Sequence, residues 1–189
     1  MRKLILVVHT TLDGHMAGPR GELDWMVHDP RMNHEIWLDL RDSVETMLAG
    51  RNAYEGFEAH FRQQATDPES PPDLVDFATW IIYTPKVIFS RTLTSLRSTT
   101  SRLAEADISD EVASLKWQPG KDLVLFSGVS TVQSCVRHRL IDEYWIKLHP
   151  VAIGRGQTVF PDLGDRAGMT LIGSKTYDSG IVVLRYRPA

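Results

Sequence analysis

A chain of 189 residues with 42% hydrophobic and 24% charged side chains is long enough to bury a substantial core, and its composition is that of one globular domain. The net charge of −3 argues against a nucleic-acid partner, and the apolar run 4–8 behind Met1-Arg2-Lys3 is too short for a signal segment or a membrane span. Cys135 is the sole cysteine, so no intrachain disulfide can form, and a buried thiol in a reducing cytoplasm is expected.

In chain order, residues 3–9 are predicted to form a buried strand, followed by a glycine-rich loop over 13–29. Between Arg31 and Leu48, apolar Ile36, Leu40, Val44, Met47 and Leu48 recur at helical spacing, with Glu35, Asp39, Asp42 and Glu45 elsewhere on the surface. That pattern predicts a helix over 31–48, although residues 46–49 can equally begin the next strand. A second helix is expected over 52–61. Residues 63–73 contain Pro68, Pro71 and Pro72 and read as a surface loop. Residues 86–90 read as a strand, 98–103 as a further short one, 109–117 as a short helix, and Pro119-Gly120 as a turn into the apolar run 123–126. A helix follows over 129–139. The remaining strands are 144–149, 170–177 and 181–187, the last two joined by a hairpin at Asp178-Ser179-Gly180. Within 144–149, Tyr144, Ile146 and Leu148 make an apolar face. Trp145, Lys147 and His149 then fall on a face that need not be buried.

Alternating strands and helices that end in a β-hairpin argue for a three-layer α/β protein with a mixed, mostly parallel sheet. In such sheets ligands lie beyond the carboxyl ends of the strands. Four loops there carry polar or glycine pairs: Asp13-Gly14, Gly50-Arg51, Ser90-Arg91 and Ser127-Gly128. The stretch Ser127-Gly128-Val129-Ser130-Thr131 has two readings. One is an ordinary turn capped by Ser130 or Thr131. The other is a phosphate cradle, with Gly128 allowing close backbone approach or an unusual backbone angle, and with free N–H groups at a helix start.

The opening KLILVVHTTLDGHMAGPRGELDWM, the turn Gly50-Arg51-Asn52-Ala53-Tyr54-Glu55, the block Lys86-Val87-Ile88-Phe89-Ser90-Arg91-Thr92-Leu93, and the pair Leu140-Ile141-Asp142-Glu143-Tyr144 and His149-Pro150-Val151-Ala152-Ile153-Gly154-Arg155-Gly156 resemble, in order, the dihydrofolate reductase-like proteins related to the reductase domain of riboflavin biosynthesis. The resemblance covers nearly the whole chain. It implies the dihydrofolate reductase-like fold, with the Gly-Arg and Ser-Arg turns at the adenosine-phosphate end of a dinucleotide and the Ser-Gly turn at its diphosphate. Relatives often carry Gly-Gly or Gly-Ser where this chain has Ser127-Gly128, and the Ser127 side chain could crowd that diphosphate.

Arg51 and Arg91 at neighbouring strand ends suit a nucleotide bearing an extra ribose phosphate, so NADPH is expected over NADH. Read alone, each arginine is also an ordinary surface charge. The resemblance implies an acidic residue on the first long helix that binds the substrate and could serve as proton source; the count back from the Gly-Arg turn lands near His34-Glu35, and Glu35 is the candidate, which the helix dipole alone would also favour there. Asp13 is either a site contact or an Asx-type turn residue, and Trp25 either lines the cleft or staples its loop to the core. His9 at its strand end reads as a packed, hydrogen-bonding histidine, and no residue spacing suggests a metal site.

The expected activity is NADPH-dependent hydride transfer to a small heteroaromatic or pterin-like molecule. The alternatives are the 5-amino-6-(5-phosphoribosylamino)uracil reductase step of riboflavin synthesis and nucleotide binding without catalysis. A homodimer formed through the C-terminal strands is also expected.

Overall fold

The apolar runs of the sequence become the strands of one central sheet. In a computed structural model that describes residues 1–160 and 163–189, that sheet holds β1 (Leu4–Thr10), β3 (Val44–Gly50), β4 (Lys86–Phe89), β5 (Ser101–Leu103), β6 (Asp122–Leu125), β7 (Glu143–Leu148), β9 (Met169–Thr176) and β10 (Val182–Pro188). Their order is β5-β4-β3-β6-β1-β7-β10-β9. The pairs from β5 to β7 are parallel, and β10 runs antiparallel to both β7 and β9. Two short strands, β2 (His15–Ala17) and β8 (Gln157–Thr158), pair separately and tie two loops together beyond the end of β1.

Helices cover both faces. On one side α1 (Pro30–Ser43), α2 (Arg51–Thr66) and α3 (Pro72–Tyr83) pack Met32, Ile36, Leu40, Phe57, Phe61, Phe77 and Ile81 onto Ile5, Val7, Met47, Val124 and Trp145. On the other, α4 (Ile108–Trp117) and α5 (Val129–Arg137) pack Val112, Leu115, Val132 and Val136 onto Leu4, Leu6, Leu48, Leu123 and Leu125. Alternate residues of each strand thus feed opposite cores, the period-two consequence of a pleated chain buried on both sides. The layering and mixed sheet agree with the α/β expectation. Cys135 is fully buried, and burial pushes its thiol up to about 12.

Several boundaries differ from the sequence expectation. The first helix stops at Ser43, and β-branched Val44 is already extended and opens β3, so the later part of the helical pattern belongs to a strand. Helix α2 runs on to Thr66, and the proline-rich loop shrinks to residues 67–71. Helix α3 had no counterpart in the expectation. Its Pro72 takes the first helical position, where a missing N–H costs nothing, so the proline opens a helix and does not break one. The face carrying Trp145, Lys147 and His149 is corrected as well: these residues are only 5%, 7% and 0% exposed, because β7 lies inside the sheet beneath α1 and the loop before it.

Among the described residues, no helix is long and apolar enough to cross a membrane.

Candidate active site

The topology opens a crevice at one end of the sheet. Strand β6 lies between β1 and β3; its own connection leaves through α5 on one face, whereas those of β1 and β3 leave through α1 and α2 on the other. Neighbouring strand ends whose chains depart to opposite faces leave a gap between them, and ligands settle there in open α/β sheets.

At this gap two helices begin directly on strand ends. Gly50 is the N-cap of α2 and Gly128 the N-cap of α5, and neither helix has a side-chain cap. The first N–H groups of both helices therefore lack the partners that a Ser or Asp cap would supply, and their dipoles present positive ends to the gap. The Gly50 N–H donates to Ser127 Oγ at 2.8 Å, so the Ser127 hydroxyl joins the two strand ends and is drawn toward β3. A β-carbon at Gly50 would sit 2.3 Å from Thr131 Oγ1, whereas one at Gly128 meets nothing within 4 Å. Gly128 has φ −73, an angle open to any residue, so it is spared a side chain by the space in front of it and needs no special backbone angle. The residues present thus fit an anionic group held by the backbone of Val129, Ser130 and Thr131.

Arg51, at the start of α2, is exposed; its Nη1 donates to Thr92 Oγ1 at 3.1 Å and its Nε contacts Glu55 at 3.3 Å. Ser90 Oγ accepts from the N–H groups of Thr92 and Leu93 at 3.2 and 3.0 Å, which folds the turn carrying exposed Arg91. Through the Arg51–Thr92 contact, the Gly-Arg and Ser-Arg turns meet at adjacent strand ends.

Glu35 lies elsewhere. Its carboxylate accepts from Lys175 Nζ at 2.6 Å and Tyr177 Oη at 2.8 Å and lines a recess of about 420 Å³ between α1 and β9. Those bonds hold it down to about 2, so it stays ionised near neutrality and is a poor proton source. Asp13 accepts from Thr11 Oγ1 at 2.6 Å and from the N–H groups of Gly154 and Ile153 at 2.7 and 3.3 Å. These contacts pin the turn after β1 to the glycine loop after β7 and keep the carboxyl well below its usual range, with the Thr11 hydroxyl the largest cause. The Trp25 ring stands edge-on to the His149 ring at 5.4 Å, so this loop tryptophan packs over the end of β7.

Beneath it lies a polar cluster that the sequence reading did not assemble. Strand pairing sets His9 on β1 opposite Lys147 on β7. The Val27 N–H donates to His149 Nδ1 at 3.1 Å, His149 Nε2 lies 2.7 Å from His9 Nδ1, His9 Nε2 lies 3.4 Å from Lys147 Nζ, and Lys147 donates to Asn33 Oδ1 at 3.3 Å. Burial, reinforced by Lys147, brings His149 down to about 4 and holds His9 well below its normal value, while burial alone brings Lys147 down to about 8. The sequence signal was three polar residues on inward-facing strand positions, but the strands are separated by more than 130 residues and only their register joins them.

A mixed sheet with these helices and this crevice defines the dihydrofolate reductase-like class. Dihydrofolate reductase from Enterococcus faecalis, solved with NADP(H), superposes with TM-score 0.62 at 11% identity over 98% of this chain and 96% of its own. A protein of Shewanella sp. PV-4 with a provisional riboflavin-biosynthesis assignment superposes with TM-score 0.76 at 23% identity over 99% of both chains. The uncharacterized protein YyaP of Bacillus subtilis is 30% identical over 187 residues, 98% of this chain and 94% of YyaP. The model of the RibD C-terminal domain matches residues 2–183, and the chain belongs to that family, a family of reductase domains.

Proposed function

We propose that this protein is an NADPH-dependent reductase acting on a small heteroaromatic, pterin- or pyrimidine-type molecule. The observation that carries this reading is the pair of uncapped helix starts at Gly50 and Gly128, flanked by Arg51 and Arg91. Bound NADPH would supply a hydride. The chain's own residues then divide the remaining work. Backbone N–H groups of Val129, Ser130 and Thr131 face the diphosphate. Arg51 and Arg91, with the Ser90 turn, favour the extra ribose phosphate. Ser127 holds the β3 and β6 ends at a fixed separation, and Trp25 covers the substrate end of the crevice, with Asp13 fixing the turn beside it.

Titration with NADPH and NADH, then a screen of pterins and flavin precursors for loss of reduced-nicotinamide absorbance, tests the proposal. NADPH should bind more tightly, and Arg51→Ala should weaken it about tenfold, near 1.5 kcal/mol, the lower end for a charged contact because Arg51 is exposed. Equal affinities for both nucleotides in wild type and variant overturn the cofactor assignment. Tight NADPH binding with no turnover would favour nucleotide binding without catalysis, and turnover confined to the ribosylaminopyrimidine would favour the riboflavin step.

A further inference from the structure

We propose that Lys147 is the proton donor to the reduced substrate and that His149 and His9 form the relay that reloads it. This role rests on the reductase reading. Hydride addition to a C=N or C=O bond leaves negative charge on the heteroatom, which must gain a proton. Glu35 is committed to Lys175 and Tyr177, so another group has to provide it.

The hydrogen bonds around Lys147 dictate one another. Because the Val27 N–H donates to His149 Nδ1, the proton of neutral His149 sits on Nε2 and points at His9 Nδ1. The proton of neutral His9 is then on its own Nε2, facing Lys147 Nζ, which can accept it only as an uncharged amine. With Val27 docked the chain is therefore in its unloaded state. An ammonium at Lys147 demands the reverse arrangement: His9 Nε2 accepts, His9 Nδ1–H donates to His149 Nε2, and His149 Nδ1–H collides with the Val27 N–H. The two states differ by one proton, two tautomers and the Val27 contact.

Loading begins when Val27 withdraws and a water-derived proton binds His149 Nδ1. Each ring passes its Nε2 proton inward, His149 to His9 and His9 to Lys147, leaving both rings neutral with their protons on Nδ1. Lys147 then gives one proton to the substrate heteroatom, and each ring exchanges its Nδ1 proton for one on Nε2 before Val27 docks again, which restores the unloaded state. One proton enters and one leaves.

The surroundings suit this task. β1 supplies His9, the residue just after β7 is His149, α1 supplies the neutral amide of Asn33, the loop before α1 supplies Trp25 and the Val27 N–H, and β10 sets apolar Val183 beside Lys147. The acids of the neighbouring segments are engaged elsewhere: Asp29 with Ser179 and the Met32 N–H, Asp13 with Thr11 and Gly154, and Glu35 as above. An ammonium without a carboxylate partner gives up its proton readily. Lys147 is itself buried, but His9 and Asn33 beside it are partly exposed, and at least one hydrogen position on Nζ remains beyond its two contacts.

Two readouts test the proposal. Nitrogen-15 NMR of the free protein should find both histidines with the Nε2 proton at high pH. As Lys147 gains its proton, both should switch to Nδ1 together, along with the Val27 amide, and Lys147→Met should abolish the switch. Tautomers that stay fixed, or a switch that persists in Lys147→Met, overturn the relay. With a turned-over substrate, wild-type kcat should fall on the alkaline side as Lys147 loses its proton. Lys147→Met and Lys147→Arg should each lose about 100-fold in kcat and lack that limb, the arginine because it keeps its charge but cannot release a proton. His149→Gln, should the Lys147 variants not fold, should shift the limb with KM little changed. Wild-type kcat and pH profile in Lys147→Arg overturn the proton-donor role and leave the reductase reading standing. Absence of turnover by wild type overturns the reductase reading and this role with it.

Discussion

Among the described residues three lysines are buried, and two of them, Lys86 and Lys147, are shifted in the direction burial requires. Lys86, 1% exposed, donates to the carbonyls of Ile82 and Thr84 at 2.9 and 3.1 Å and so closes the end of α3. Lys147 has only a neutral amide and a histidine. Its folded-state pKa is lowered to about 8 from 10.5, so between those values the unfolded chain binds more protons. The stability cost is complete at or below pH 8 and vanishes as pH rises past the unfolded value. Lys147→Met should therefore be more stable than wild type by about 1–4 kcal/mol at pH 8, and the gain should fade toward pH 10.5 in denaturant titrations. A gain constant across that range would show that Lys147 titrates normally. None of this was legible in the sequence, where Lys147 sits on an alternating strand and nothing tells which face is covered.

At the scale of elements, the two glycine-headed helices make separable predictions. Gly128→Val places its side chain in open space at an ordinary backbone angle, so the fold should persist while NADPH binding is lost. Gly50→Ala drives a methyl into Thr131 Oγ1, so it should cost about 1–3 kcal/mol in stability as well as affinity. Denaturant midpoints measured beside nucleotide titrations distinguish the two, and equal destabilisation by both would contradict the assignment of Gly128 to the ligand. The strand ends, the Ser-Gly turn and the helix behind it were readable because each shows a local change of pattern. Helix α3 was missed although its pattern is present: exposed Pro72, Asp76, Thr79 and Tyr83 recur at helical spacing opposite buried Ala78, Ile81 and Ile82. The switch from helix to strand at Val44 was ambiguous, since an apolar run fits both periods.

For the whole molecule, the order of elements was legible because the family's blocks span the chain. The assembly was not, because Trp145, which the sequence left available for a partner, is buried beneath Arg185, whose guanidinium lies 3.9 Å from its ring. We still propose a homodimer, now on edge strand β9, where Leu171 and Ile172 are 51% and 44% exposed. Light scattering should give twice the chain mass, and Ile172→Glu should halve it; a wild-type monomer at all concentrations contradicts the proposal.

The central claim is that NADPH lies across the ends of β3, β4 and β6. Amide chemical-shift mapping during an NADPH titration tests it most directly. The account predicts the largest shifts at Gly50, Arg51, Arg91, Gly128, Val129, Ser130 and Thr131, with smaller ones for the same residues on adding NADH. Shifts centred instead on α4 or on the recess between α1 and β9, or no saturable shifts at all, would contradict it.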